Sequence, residues 1–169
     1  MNQLKTAKFE KVSQKQFIEA CANNYPYVLD IISKWYEDIK LPNRGTAGSA
    51  GYDFRSPMDV NIIPGDSFIF VTGIRCRMLP QYFLMIVPRS SLGFRYKLTL
   101  DNTVGIIDSD YYNSDNEGHI MIKVTNNSDK TLVVKAGDKI AQGIFLPYIK
   151  TDDDDVTENR NGGIGSTGR

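Results

Sequence analysis

Apolar and polar positions follow two different rhythms along this chain. Near its start the rhythm is helical. "SQKQF" places Gln16 three positions after Ser13, a capping-box pattern that opens a short helix over about residues 14–22. "NNYP" breaks it. Val28, Ile31, Ile32 and Trp35 then recur at helical spacing, which predicts a second helix with its apolar face packed on the domain. "KTAKFEKV", ahead of both, reads as a short strand. After "KLPNRGTAGSAG" the rhythm changes. "DVNII" is a short apolar run closed by the turn pair Pro64-Gly65, and "DSFIFVTG" is another strand. In "IRCRML" the residues Ile74, Cys76 and Met78 alternate with arginines, at strand period. "YFLMIVP", "YKLTL", "GHIMIKV", "KTLVV" and "KIAQGIFLPYI" continue the series, with "TNNSD" and "KAGDK" as turns. Many short strands between Gly, Pro, Asn and Asp turns predict an all-β sandwich, jelly roll or barrel. No strand–helix–strand alternation and no fixed-period repeat interrupts that reading. "TDDDD" (151–155) reads as a solvated acidic hinge before a glycine-rich tail, "ENRNGGIGSTGR".

Composition narrows the function. The 169 residues suit one domain, and 41% apolar residues suffice for a core. The division expected is a β domain over 1–150 and a hinge with its tail over 151–169. Twenty basic residues balance twenty acidic ones, so no global charge favours nucleic acid or an anionic membrane, and an anion must be bound by a local site. Cys21 and Cys76 are too few for a disulfide framework or a cysteine zinc site. "MNQLKTAKFEK" has no apolar signal core, and no apolar run approaches the roughly 20 residues of a membrane span. The expectation is a soluble, reduced, cytoplasmic protein.

Candidate chemistry clusters where strands are interrupted. "VPRSSLG" puts Arg89, Ser90 and Ser91 straight after an apolar strand. A turn there can offer a guanidinium fork, two hydroxyls and backbone N–H groups to an anion; an ordinary surface turn is the alternative. "GIIDSDYY" follows Ile106 and Ile107 at once with Asp108, Asp110 and Tyr111. A carboxylate at the end of a buried strand is a candidate base or metal ligand, or else part of an Asp turn. Gln142 stands in an otherwise apolar strand. His119 is the single histidine, which leaves no convincing Ser-His-Asp system and argues against catalytic zinc. Oxygen ligands and substrate phosphates remain, and these suit Mg²⁺.

Five stretches in order, "AGSAGYDF" (47–54), "PRSSLG" (88–93), "DNTVGIIDSDYY" (101–112), "GDKIAQ" (137–142) and "RNGGIGSTG" (160–168), resemble the five motifs of the homotrimeric dUTPases. The resemblance spans residues 41–168. It implies a distorted jelly-roll, dUTPase-like β-clip fold, here with an N-terminal helical insertion at about 14–38. It implies a homotrimer whose sites draw on more than one subunit, with the tail as a lid. The implied reaction is dUTP plus water giving dUMP and pyrophosphate, which limits uracil in DNA and supplies dUMP for dTMP. The implied cofactor is Mg²⁺ held by the substrate's phosphates, with no direct protein ligand.

Position by position, Asp108 would hold and deprotonate the attacking water. Arg89, Ser90, Ser91 and Gln142 match phosphate-contacting positions, and Asp53 would orient the phosphate-site arginine. Asn102 and the backbone near Ile106 and Met121 match the uracil-reading positions, with Gly105 and Ile107 in the same substrate-binding stretch. Tyr111 matches the residue packed under the deoxyribose. From the tail, Arg160, Gly165, Ser166 and Thr167 would close on the triphosphate, and Ile164 stands where the family usually has an aromatic residue stacked on uracil. Two further departures are the helical block, expected on the outside of the trimer, and "YNSDNEGHI", a lengthened hairpin read as solvated. Two alternatives are carried. One is a dCTP deaminase-type relative, for which Glu117 is the only glutamate near the third motif. The other is a nucleotide-sensing regulatory protein on the same fold.

Overall fold

The computed structural model of the chain describes residues 6–27, 31–158, 160 and 162. Its architecture is β-rich. One antiparallel sheet has the order β1 (Ala7–Lys11), β5 (Ser67–Met78), β9 (Ile120–Thr125), β7 (Thr99–Leu100). A second has the order β2 (Asn43–Arg44), β3 (Tyr52–Arg55), β11 (Lys139–Pro147), β6 (Tyr82–Pro88), β8 (Gly105–Ile107). A two-stranded ribbon joins β4 (Val60–Ile62) to β10 (Leu132–Val134). The larger sheets meet through aromatic rings. Phe9 of β1 lies 5.4 Å from Tyr52, 5.7 Å from Phe54 and 5.5 Å from Phe145, centroid to centroid. Period-two burial explains why β9 holds its face: Ile120, Ile122 and Val124 point inward and are almost fully buried. The expected jelly-roll-like fold is the fold observed.

Two predicted strands, "DSFIFVTG" and "IRCRML", are a single strand, β5. Gly73 does not break it. The residue adopts φ +70, and the pairing with β9 shifts register between Val71 and Ile74. A Cβ there would lie 2.3 Å from Ile39 Cδ1 and 3.1 Å from the Phe17 ring, so helix and strand approach closely only because residue 73 is glycine. In "YKLTL" the strand covers only Thr99–Leu100. "RSSLG" is not a turn: Ser90–Tyr96 form helix α3, ended by Lys97 in the left-handed conformation.

The N-terminal helices are present as α1 (Gln14–Asn24) and α2 (Ile32–Asp38), with α3 the third helix of the chain. Ser13 caps α1, its Oγ accepting from the Gln16 N–H at 3.1 Å. The other half of the capping box comes from elsewhere: Ser13 N–H donates to Glu117 Oε2 at 2.7 Å. Phe17, Ala20, Cys21 and Ile32 are buried, and Trp35 packs against the core. Ile31 is exposed, and Val28 lies outside the described residues. Pairing with β1 covers only Ile74–Met78 of β5. Further along, Tyr25 takes the open edge, its hydroxyl donating to Ile69 O and accepting from Val71 N–H at 3.2 Å.

The long hairpin is not simply solvated, contrary to the sequence reading. It folds back on its own chain. Tyr112 OH donates to Glu10 Oε2 at 2.6 Å, and Arg75 Nη2 donates to Tyr112 O at 2.8 Å while its guanidinium lies 3.6 Å from the Tyr112 ring centroid. A charged group with no local pattern supplies each tie, so periodicity could not show them.

Candidate active site

Strand β8 is only three residues long, yet it sets the site. Its pairing with β6 places Ile107 opposite Leu84 and Gly105 opposite Ile86. A Cβ on Gly105 would sit 3.0 Å from Ile86 Cβ, so that approach also favours glycine. The chain then turns out of the sheet at Asp108 into a 3-10 helix, Ser109–Asn113. A cavity of about 660 Å³ opens at this corner. Asn102, Gly105, Ile106, Ile107, Asp108 and Tyr111 line it from this stretch. Met121 lines it from β9, and Arg160 closes it from the tail. Eight sequence-predicted site residues thus meet in one place, over an apolar floor that includes Ile86 and Ile122.

Tyr111 is the most constrained of them. It is buried, its hydroxyl donates to His119 O at 2.8 Å and accepts from Asn116 Nδ2 at 2.8 Å. Burial raises its phenol above the ordinary range. His119 is wholly buried behind it, and its Nε2 accepts from Gly73 N–H at 2.9 Å. Burial pushes the imidazole down from 6.5 to about 4, against the pull of nearby Glu117. It is therefore a neutral structural acceptor.

Asp108 and Asp110 stand at the rim with half-exposed side chains, and Arg160 binds both. Its Nη2 pairs with Asp108 Oδ2 and its Nε donates to Asp110 Oδ1 at 3.0 Å. Ile164, Gly165, Ser166 and Thr167, the other tail residues of interest, lie outside the described residues.

The phosphate-matching residues form a second group. Register pairs Gln142 of β11 with Asp53 of β3 and with Val87 of β6. Asp53 is buried and holds two cations, Arg89 Nε at 3.3 Å and Lys139 Nζ at 2.6 Å. Ser90 and Ser91 follow as exposed first residues of α3. Arg55, Arg89 and Lys139 flank a shallow hollow of about 300 Å³. The cavity at Asp108 includes none of Arg89, Ser90, Ser91 or Gln142.

Sequence reasoning missed four residues of interest. Lys139 belongs to the "GDKIAQ" stretch but carries no distinguishing pattern. Asn24, the last residue of α1, lines the Asp108 cavity, as does Lys123, which pairs with Asp101 at 2.7 Å. Asn116 sits in the hairpin. Among the described residues no three His, Cys, Asp or Glu side chains form a metal-holding group. The half-exposed carboxylates of Asp108 and Asp110 at the cavity rim, both paired with Arg160, are hard oxygen donors of the kind that suits a cation such as Mg²⁺ that keeps most of its waters. No helix among the described residues is long and apolar enough to cross a membrane.

The family model for dUTPase matches residues 37–168, which leaves α1 and most of the helical block outside it. A deoxyuridine 5'-triphosphate nucleotidohydrolase of Lactococcus lactis is 38% identical over 143 residues, 82% of this chain and 95% of that protein. The crystal structure of a dUTPase from Streptococcus mutans is similar with a TM-score of 0.62 at 39% identity, over 69% of this chain and 91% of that one. A mutant dUTPase of phage phi11 of S. aureus, with a structural Mg(II) ion, has the same fold: TM-score 0.63 at 19% identity, over 90% of this chain and 97% of that one. With the family model covering most of its length, this chain belongs to the dUTPase family.

Proposed function

We propose that this dUTPase-family enzyme hydrolyses dUTP to dUMP and pyrophosphate, by attack of water on the α-phosphorus. The observation that carries the reading is the cavity that gathers Asn102, Tyr111 and Asp108 along one wall. Asn102 and the backbone near Ile106 and Met121 read the uracil edge. Cytosine offers a donor where uracil offers an acceptor, which leaves a site group unpaired. Tyr111 packs under the deoxyribose, where a 2′-hydroxyl meets a ring already fixed by two hydrogen bonds. Asp108 orients the water and takes its proton. A carboxylate is a weak base, so its contribution is mainly positional. Mg²⁺ bound to the phosphates supplies neutralisation of their developing charge.

Arg89, Ser90, Ser91 and Gln142 bind phosphate, and Asp53 aims Arg89 through its 3.3 Å contact. The separation of this group from the Asp108 cavity supports a homotrimer in which each site combines groups from different copies. Residues 151–169 act as hinge and lid. Arg160 exchanges its carboxylate partners for phosphate, which frees Asp108 for water, while Ile164 covers the base without stacking, and Gly165, Ser166 and Thr167 bond the phosphates. The reaction removes dUTP from the DNA precursor pool and yields dUMP for dTMP synthesis in the cytoplasm.

Glu117, which a deaminase would need at the base, is bound to Ser13 and does not line the cavity. The test is product analysis with Mg²⁺ and, separately, dUTP, dCTP, dTTP and UTP. Release of dUMP and pyrophosphate from dUTP alone is expected. Ammonia from dCTP would move the chain to the deaminases. Binding of dUTP without turnover of any nucleotide would favour a sensing role.

A further inference from the structure

The hairpin behind Tyr111 contains a residue in a conformation that side chains avoid. Glu117 has φ +58, in the left-handed region. The turn itself needs only backbone there, and glycine would supply it without strain. What the glutamate adds is two short bonds across the molecule. Its Oε2 accepts from Ser13 N–H at 2.7 Å and its Oε1 accepts from Ser13 Oγ at 2.6 Å, between residues 104 apart in sequence. Arg75 Nη1 stands 3.8 Å from the same carboxylate. The glutamate therefore clamps the hairpin to the N-cap of α1.

The preceding residue faces the other way. Asn116 Nδ2 donates to Tyr111 OH at 2.8 Å, and Asn116 Oδ1 accepts from Gly118 N–H at 3.1 Å, so both ends of the amide are committed. The turn also presses on the tyrosine's backbone: a Cβ on Gly118 would lie 2.7 Å from Tyr111 O. Ser13, Glu117, Asn116 and Tyr111 thus form a continuous chain of contacts from the helical block to the cavity wall.

We infer that the hairpin is a brace that makes Tyr111 rigid, with Asn116 and Glu117 as positioning residues, so that the helical block outside the family match takes part in rejecting ribonucleotides. The inference rests on the dUTP reading for the role of Tyr111. A rigid ring cannot retreat from a 2′-hydroxyl, whereas a loosened ring can. Loss of the brace therefore acts on UTP more than on dUTP.

The experiment compares kcat/KM for UTP and dUTP in the wild type, Asn116→Ala, Glu117→Gly and Glu117→Gln, alongside the ¹³Cζ NMR signal of Tyr111 in tyrosine-labelled protein, assigned with Tyr111→Phe. Asn116→Ala should raise the UTP-to-dUTP ratio about tenfold, through loss of the partly buried hydrogen bond to the Tyr111 hydroxyl. Glu117→Gly removes the carboxylate while relieving the backbone. It should raise the ratio about fivefold and shift the Tyr111 signal. Glu117→Gln, which can still bond Ser13, should restore most of the selectivity. An unchanged ratio in both Asn116→Ala and Glu117→Gly, in an enzyme that turns over dUTP, would overturn the brace. If the wild type does not turn over dUTP, the functional reading fails separately. The brace then stands or falls on whether Glu117→Gly moves the Tyr111 signal.

Discussion

Around Asp108 the chain builds its pocket mostly from close neighbours in sequence; around Asp53 it assembles a charged group from three separated strands. The first group runs from Asn102 to Tyr111, with Met121 beside it, and its acids stand at the rim. The second joins β3, the end of β6 and β11, and its acid is buried under Arg89 and Lys139. Their electrostatics are opposite. The rim acids repel a triphosphate unless a cation intervenes, whereas the Asp53 group presents guanidinium and ammonium to it. Chemistry and charge are thus separated within one chain. That division is what the proposed sharing of sites between copies would use, and it makes removal of an acid mean different things in the two places.

The largest effect should come from Asp108→Asn. Its side chain is 47% exposed, so the fold should tolerate the change. Loss of the carboxylate proposed to orient the water should lower kcat by about 10³-fold, measured by pyrophosphate release, with the thermal midpoint shifted by no more than a degree or so. A fall in stability to match the fall in rate would make Asp108 structural.

Acid should weaken the wall behind the first group next. His119 is buried and neutral, its pKa lowered by burial from 6.5 to about 4. The unfolded chain binds the proton below about 6.5 while the folded one does not, so between 6.5 and 4 the unfolded state holds more protons. Stability is therefore complete above 6.5 and falls as pH drops through this window, by about 3 kcal/mol at its acid end. Urea midpoints at several pH values read this directly. His119→Gln should flatten the dependence above pH 5, where ordinary carboxylates have yet to take up protons.

At the second group Asp53→Asn should cost about 2 kcal/mol in urea unfolding, less than a fully buried pair because Arg89 and Lys139 are each about 30% exposed. It should also raise KM for dUTP if Arg89 binds phosphate as proposed, since the arginine loses its 3.3 Å contact with Asp53. A change in KM with no loss of stability would mean that Asp53 meets substrate itself.

The same contrast explains what the sequence disclosed. Asp108, Tyr111 and Asn102 share one short stretch, so a local motif carries them; the apolar run of β6 and the alternation of Ile74, Cys76 and Met78 in β5 are likewise plain along the chain. β3 and β8 are four and three residues long, too short for a period to show. α3 was hidden because Gly93 and two serines look like a turn. The bond from Glu117 to Ser13 joins residues 104 positions apart, and no pattern along the chain encodes it. The capping box at Ser13 was readable, but the partner that completes it was not.

Arg160 is the one described residue that links the comparison, a cation held on the acidic side whose proposed partners are the phosphates of the basic side. Its guanidinium is divided between Asp108 and Asp110, both near half exposed, so each pair is worth at most about 1 kcal/mol. Asp110→Asn should remove one hold without touching Asp108. Transfer of Arg160 to phosphate then costs less, and KM for dUTP should fall about twofold at low salt, with little change in stability. Raising the ionic strength should erase the difference, because screening weakens the same pair in the parent protein. A rise in KM instead would place Asp110 among the groups that bind the substrate, and the two acids would then act together rather than as a base and a tether.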